Sequence, residues 1–222
     1  TGFARFVAAH AQRLRGQLRL AVFRDPWGGY PLLRTRPGCP AIFEVNALPS
    51  WELAYSRPAL AQNPALRAKL GDMERRCLTE AARVLCVSSV TKTALAGLGV
   101  DTAKVDVIPN AARPGFFQPH DGPGPIPALN EGSWFAYVGS LQPWQGVEAM
   151  IDAFALAAPD CPGSRLLILH GGHGRSLRPV ERAIARRQLS GRVLLHPPLP
   201  ADDVAGVLQR VRFSVVPLAE TP

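Results

Sequence analysis

From Arg83 onward short apolar runs alternate with segments of helical periodicity, and this alternation narrows the possible folds more than any other feature. Strands separated by whole helices cannot pair as hairpins. They need crossover connections, so they lie parallel in a sheet with helices packed on it. Strands are expected at about Leu18–Phe23, Ala41–Val45, Arg83–Val87, Lys104–Ile108, Trp134–Val138, Leu166–His170, Arg192–His196 and Phe213–Pro217. The fold class is therefore α/β.

The intervening helices carry their own start signals. Asn63 before Pro64 reads as an N-cap followed by a first-turn proline, leading a helix through Leu66, Leu70, Met73, Cys77 and Leu78. Ser88 or Ser89 caps the next, which ends near Gly97 and Gly99. After Gly146, the residues Val147, Met150, Ile151, Phe154 and Ala158 fall on one helical face, as suits a helix lying on a sheet. Between Ile108 and Trp134 the text is rich in proline and glycine and has no period, which marks a linker. The expected organisation is a first domain over 1–117, a linker over 118–133 and a second domain over 134–222. Each is small for a complete doubly wound domain.

At 222 residues, 47% of them hydrophobic, the chain can bury a substantial core. It has no apolar run long enough to span a bilayer, and Arg5, His10 and Arg13 break the N-terminus into pieces unlike a signal peptide. A soluble, cytoplasmic chain is expected. Cys39, Cys77, Cys86 and Cys161 lie far apart without a C-x-x-C pair, so they read as reduced and mostly buried thiols, and no metal site is expected. The net charge of +8 comes from arginine, since Lys69, Lys92 and Lys104 are the only lysines. No nucleic-acid-binding signature accompanies it, so nucleic acid is not an expected partner. Arginine concentrates at Arg13, Arg15 and Arg19 and again from Arg165 to Arg192. That pattern fits solvated helix faces, or attraction to phosphates on a small ligand or an anionic membrane.

Parallel sheets bind ligands at the carboxyl ends of their strands. The segments there read RDPWGGYPLL, NALPSWELAY, SSVTK, GSLQPWQG and GGHGRSL. In the fourth, Gly139 and Ser140 end a strand and Gly146 opens a helix whose free amides favour a phosphate, with Gln145 beside it. In the fifth, Gly171, Gly172, Gly174 and Arg175 form a weaker version of the same device, and His173 reads as a surface residue. Asp25 and Glu44, at or near strand ends, are candidates to hold sugar hydroxyls or act as base.

Taken together, FEVNALPSWELAY, MERRCLTEAARVLCVSSVTKTAL, KVDVIPNAARPGFF, YVGSLQPWQGVEAMIDAF, LLILHGGHG and RFSVVPL resemble glycosyltransferase family 4 in type, order and spacing. Within it they are most similar to bacterial members of exopolysaccharide or other envelope-glycan assembly. The resemblance implies a GT-B fold of two Rossmann-like domains across a cleft, each incomplete here. The first would bind a glycan or lipid-linked acceptor and the second a nucleoside-diphosphate sugar. It also implies hexosyl transfer with retention, no metal and no cofactor. The basic charge, separately, is the ground for expecting peripheral contact with the inner face of the cytoplasmic membrane.

By that resemblance Gly172 and Gly174 line the donor site and Leu199 lies near the base. Where the family has Arg and Lys to hold the diphosphate, this chain has Ser140 and Gln145. Its catalytic His falls on Asn46, which cannot serve as a base. The family's N-terminal strand and its acidic donor-binding segment are not in this sequence, so it reads as the middle of a longer frame, poorly active or inactive on its own. A non-catalytic nucleotide-sugar or partner-binding domain and a sugar-nucleotide epimerase are the alternatives.

Overall fold

The computed structural model describes residues 2–118, 124–172 and 174–218. The chain divides into two compact units, Thr1–Ala111 and Ala112–Pro222.

The first unit runs α1 (Gly2–Arg13), β1 (Ala21–Phe23), α2 (Pro26–Arg34), β2 (Ala41–Val45), α3 (Pro49–Ser56), α4 (Pro58–Ala61), α5 (Pro64–Glu80), β3 (Arg83–Cys86), α6 (Ser89–Gly97) and β4 (Val105–Val107). Its four strands are parallel in the order β1-β2-β3-β4. Ala21, Phe23, Phe43, Val45, Val84, Cys86 and Val105 form one core with Cys77 and Leu78 of α5 and Leu95 of α6. The register puts Ile42 beside Val22 and Arg83, and Leu85 beside Glu44 and Asp106, so these residues share the opposite, more open face.

The second unit runs β5 (Ser133–Gly139), α7 (Val147–Ala157), β6 (Ser164–His170), α8 (Leu177–Arg186), β7 (Val193–His196), α9 (Ala201–Leu208) and β8 (Phe213–Ser214). The parallel strand order is β7-β6-β5-β8. Alternation along β5 sends Phe135 and Tyr137 into a core with α7 and α8. Trp134 and Ala136 point the other way, into a core with Val207 of α9. Both faces of this sheet are thus covered, as a parallel sheet requires. Within the stretch read as linker, Ile126 and Leu129 are buried in that second core.

All eight expected strands are present; β3, β4 and β7 are trimmed by one or two residues, and β1 and β8 are each three residues shorter than the pattern suggested. β1 starts late because Gln17 and Leu18 still donate to the carbonyl of Leu14 behind α1. β8 stops at Ser214 in an edge position, and Pro217 beyond it has no amide to extend the ladder. Asn63 caps α5 by accepting from Leu66 N–H, and Ser88 caps α6 by accepting from Thr91 N–H. Val147, Met150, Ile151, Phe154 and Ala158 are all buried, as the one-face pattern of α7 predicts. Cys77 and Cys86 are buried, Cys39 is half-buried and Cys161 is exposed. Burial pushes the Cys77 thiol up to about 12, which leaves it unreactive. Among the described residues no helix is long and apolar enough to cross a membrane.

Candidate active site

In the second unit the strand order reverses between β5 and β8, which makes the carboxyl end of β5 a topological switch point where such sheets bind ligands. The loop from Gly139 to Gly146 leaves from this point. Tyr137, buried in β5, donates its hydroxyl to the Ser140 carbonyl at 2.5 Å and so holds the start of the loop. Burial raises the Tyr137 pKa, which keeps the phenol a proton donor. A Cβ on Gly139 would stand 2.6 Å from that hydroxyl, so the glycine is required by the tyrosine folded over it.

Pro143–Gln145 then form a 3-10 turn, and Gly146, at φ 66°, reverses the chain into α7. No side chain caps α7. Among the described residues the amides of Ser140, Leu141, Val147, Glu148 and Ala149 have no protein acceptor. Ser140 is exposed, Gln145 half-buried and Gly146 buried. An uncapped helix start next to a loop with free amides suits an anion.

The loop after β6 packs against this one. His170, 6% exposed, sits in register with Gly139, and Gly171 N–H donates to the Gly139 carbonyl at 3.2 Å. A Cβ on Gly172 would lie 2.6 Å from Leu141 Cδ1 and 2.8 Å from Ser176 Oγ, so the two loops meet at a glycine for lack of room. Gly174 takes φ 50° in a 3-10 turn. His173 and the Arg175 side chain lie outside the described residues. Leu199 is half-buried against the core of Trp134, Leu167 and Val207.

In the first unit the candidate residues collect at the carboxyl ends of β1 and β2. Arg24, unnoticed in the sequence, joins two of them: its Nε lies 3.1 Å from Glu44 Oε1, and its guanidinium donates to the Asn46 side-chain oxygen with that amide oriented to accept. Asp25 is the N-cap of α2, accepting from Gly28 N–H at 2.9 Å. Glu74 of α5 is 4% exposed and accepts from Ser50 N–H at 2.7 Å, replacing the capping oxygen that Leu48, ahead of α3, lacks. In this way α5 holds the first turn of α3.

Much of the arginine run from Arg165 to Arg192 is engaged internally. Arg192 donates to the carbonyls of Ala158, Cys161 and Ser164 and stands 5.4 Å over the Phe154 ring. Arg186 and Arg187 both reach Asp152, whose carboxyl is held below its usual range, chiefly by the Arg187 hydrogen bond. Arg165 lies over Trp134. Arg178 and Arg182 on α8 are exposed.

Known proteins share this fold. The chain is 25% identical over 195 residues to the D-inositol 3-phosphate glycosyltransferase of Segniliparus rotundus, covering 84% of this chain and 42% of that protein. Sucrose-phosphate synthase from Thermosynechococcus elongatus superposes with a TM-score of 0.75 at 19% identity, over 97% of this chain and 54% of the synthase. The Anabaena protein HepE in complex with UDP-glucose gives a TM-score of 0.68 at 14% identity, over 94% and 55% of the two chains. The chain thus spans about half the length of the proteins it matches, and its fold is that of GT-B glycosyltransferases. The family model of Glycosyltransferase Family 4 matches residues 3–114, just over half of the sequence, and the chain belongs to that family.

Proposed function

We propose that the chain is part of a retaining glycosyltransferase that moves a hexosyl group from a nucleoside-diphosphate sugar to a glycan or lipid-linked acceptor, without metal. The observation that carries this reading is the pair of interlocked loops at the switch point of the second unit, which leaves free amides at the uncapped start of α7. Those amides suit a departing diphosphate, and they do so without the Arg and Lys replaced here by Ser140 and Gln145. Gly139, Gly146, Gly172 and Gly174 shape the donor side in this reading, to which Arg175 is assigned from its place in the sequence and Leu199 by the family resemblance. Glu44 and Asn46, both held by Arg24, form the acceptor side, and Asp25 supports it by anchoring α2.

The test is calorimetric titration of the chain with UDP and GDP in parallel, UDP-glucose being the ligand of HepE. Saturable binding of one is expected, and no heat with either at millimolar concentration overturns the reading. One observation favours the binding-only alternative: Asn46, where the family has its base, is occupied by Arg24. Nucleotide binding with no sugar release from any UDP-sugar in the intact protein would select it. The anomeric configuration of a product would test retention.

Peripheral membrane contact is supported by α1, where Phe3 and Phe6 are exposed and no acidic residue precedes Asp25, while Arg5, Arg13, Arg15 and Arg19 do. Binding to anionic liposomes at low salt, lost at high salt, is expected. Absence of binding at low salt removes this part of the proposal.

A further inference from the structure

We propose that Tyr137 is a positioning residue for the donor diphosphate, acting through the backbone of the loop it pins; this rests on the reading of Gly139–Gly146 as the diphosphate cradle. Three observations converge on it. Tyr137 is 2% exposed yet places its one polar atom at the loop, where it donates to the Ser140 carbonyl at 2.5 Å. Its ring fills the space over Gly139, whose absent Cβ would collide with the hydroxyl at 2.6 Å and with Cζ at 2.9 Å. The Ser140 carbonyl belongs to the same peptide as the Leu141 amide, one of the amides without a protein acceptor. A planar peptide fixes its two ends together, so holding the carbonyl inward fixes the direction of that N–H.

The arrangement also accounts for Ser140 standing where a charged side chain would otherwise hold the phosphates. With that charge absent, phosphate binding depends more on amides aimed in advance, and a hydroxyl buried beneath the loop does the aiming. An unlocked turn would keep its glycines and the helix start but lose the orientation of the Leu141 N–H.

Tyr137→Phe keeps the ring and its packing and deletes only the donor. Titrating the chain and this variant with UDP and with UMP separates positioning from general stability, since loss of overall fold would weaken both nucleotides alike. The UDP affinity is expected to fall about tenfold, the size of one hydrogen bond, with UMP affinity changed much less. Melting measured alongside confirms that the variant is folded. Gly139→Ala leaves the hydroxyl in place but crowds it, and should lower the same UDP-to-UMP preference by a second route. A wild-type preference for UDP that survives in both variants overturns the positioning role alone. If the wild-type chain binds neither nucleotide, the cradle reading falls and this inference with it.

Discussion

Gly146 acts through both its backbone and its missing side chain. Its φ of 66° turns the chain into α7, and with no side chain there the first amides of the helix stay open. Substitution therefore risks two effects, strain and charge, which Asn and Asp separate because both tolerate the left-handed region at similar size. Gly146→Asn is expected to lower nucleotide affinity a few-fold. Gly146→Asp should lower it at least a further tenfold by setting a carboxylate against the phosphates. Equal affinities in the two variants, measured by calorimetry, would remove the helix start from the site. At Glu74 the charge acts on stability. Burial raises its carboxyl pKa against the lowering effect of the Ser50 N–H bond, so the folded chain keeps the proton to higher pH than the unfolded chain does. Stability is then highest below the ordinary carboxyl range and declines as pH rises through the raised native value. Glu74→Gln keeps the acceptor and loses the charge. Its melting temperature should match wild type in acid and exceed it at neutral pH, whereas Glu74→Ala should cost about 1–2 kcal/mol at either pH by leaving α3 uncapped.

The elements show where a pattern in the text carried structural information and where it hid it. α5 was readable because Asn63-Pro64 precedes a strong one-face period. The same cap-then-proline signal stands at Asp25-Pro26, but Gly28, Gly29 and Pro31 made the segment look like a loop. In the fold Gly29 is needed because its Cβ would meet the Phe23 ring at 2.2 Å, and that pairing is visible only once β1 and α2 are packed. α3 escaped because its cap comes from Glu74, 24 residues on. The glycine loops of the site were legible, while their cause was not: Tyr137, Leu141 and Ser176 crowd them from the chain itself. Arg192 was likewise readable as charge and turns out to tie elements together, bonding carbonyls at the end of α7, in the turn that follows and at the start of β6. Lysine carries the charge but not the planar fork that reaches three carbonyls. Arg192→Lys is therefore expected to destabilise the second unit by about 2 kcal/mol, read by denaturant unfolding, without weakening liposome binding. Loss of liposome binding at unchanged stability would instead make Arg192 part of the basic surface.

At the scale of the whole molecule, two units with separate cores imply two cooperative transitions. The core around Phe43, Leu48 and Val84 belongs to the first unit, and those around Ile151, Ile168 and Leu167 to the second. A ligand that binds only the folded second unit raises only its transition, by about 2.7 kcal/mol when present at a hundred times its dissociation constant. For a unit of this size that is a shift on the order of 10 °C. Core truncations then assign the transitions. Leu48→Ala and Ile151→Ala each remove most of a fully buried side chain, at a cost of about 2–5 kcal/mol. Leu48→Ala should lower the transition that UDP leaves unmoved, and Ile151→Ala the one that UDP raises. A transition lowered by Leu48→Ala and raised by UDP would place nucleotide binding in the first unit, because stabilisation by a ligand follows the unit whose folded state holds it.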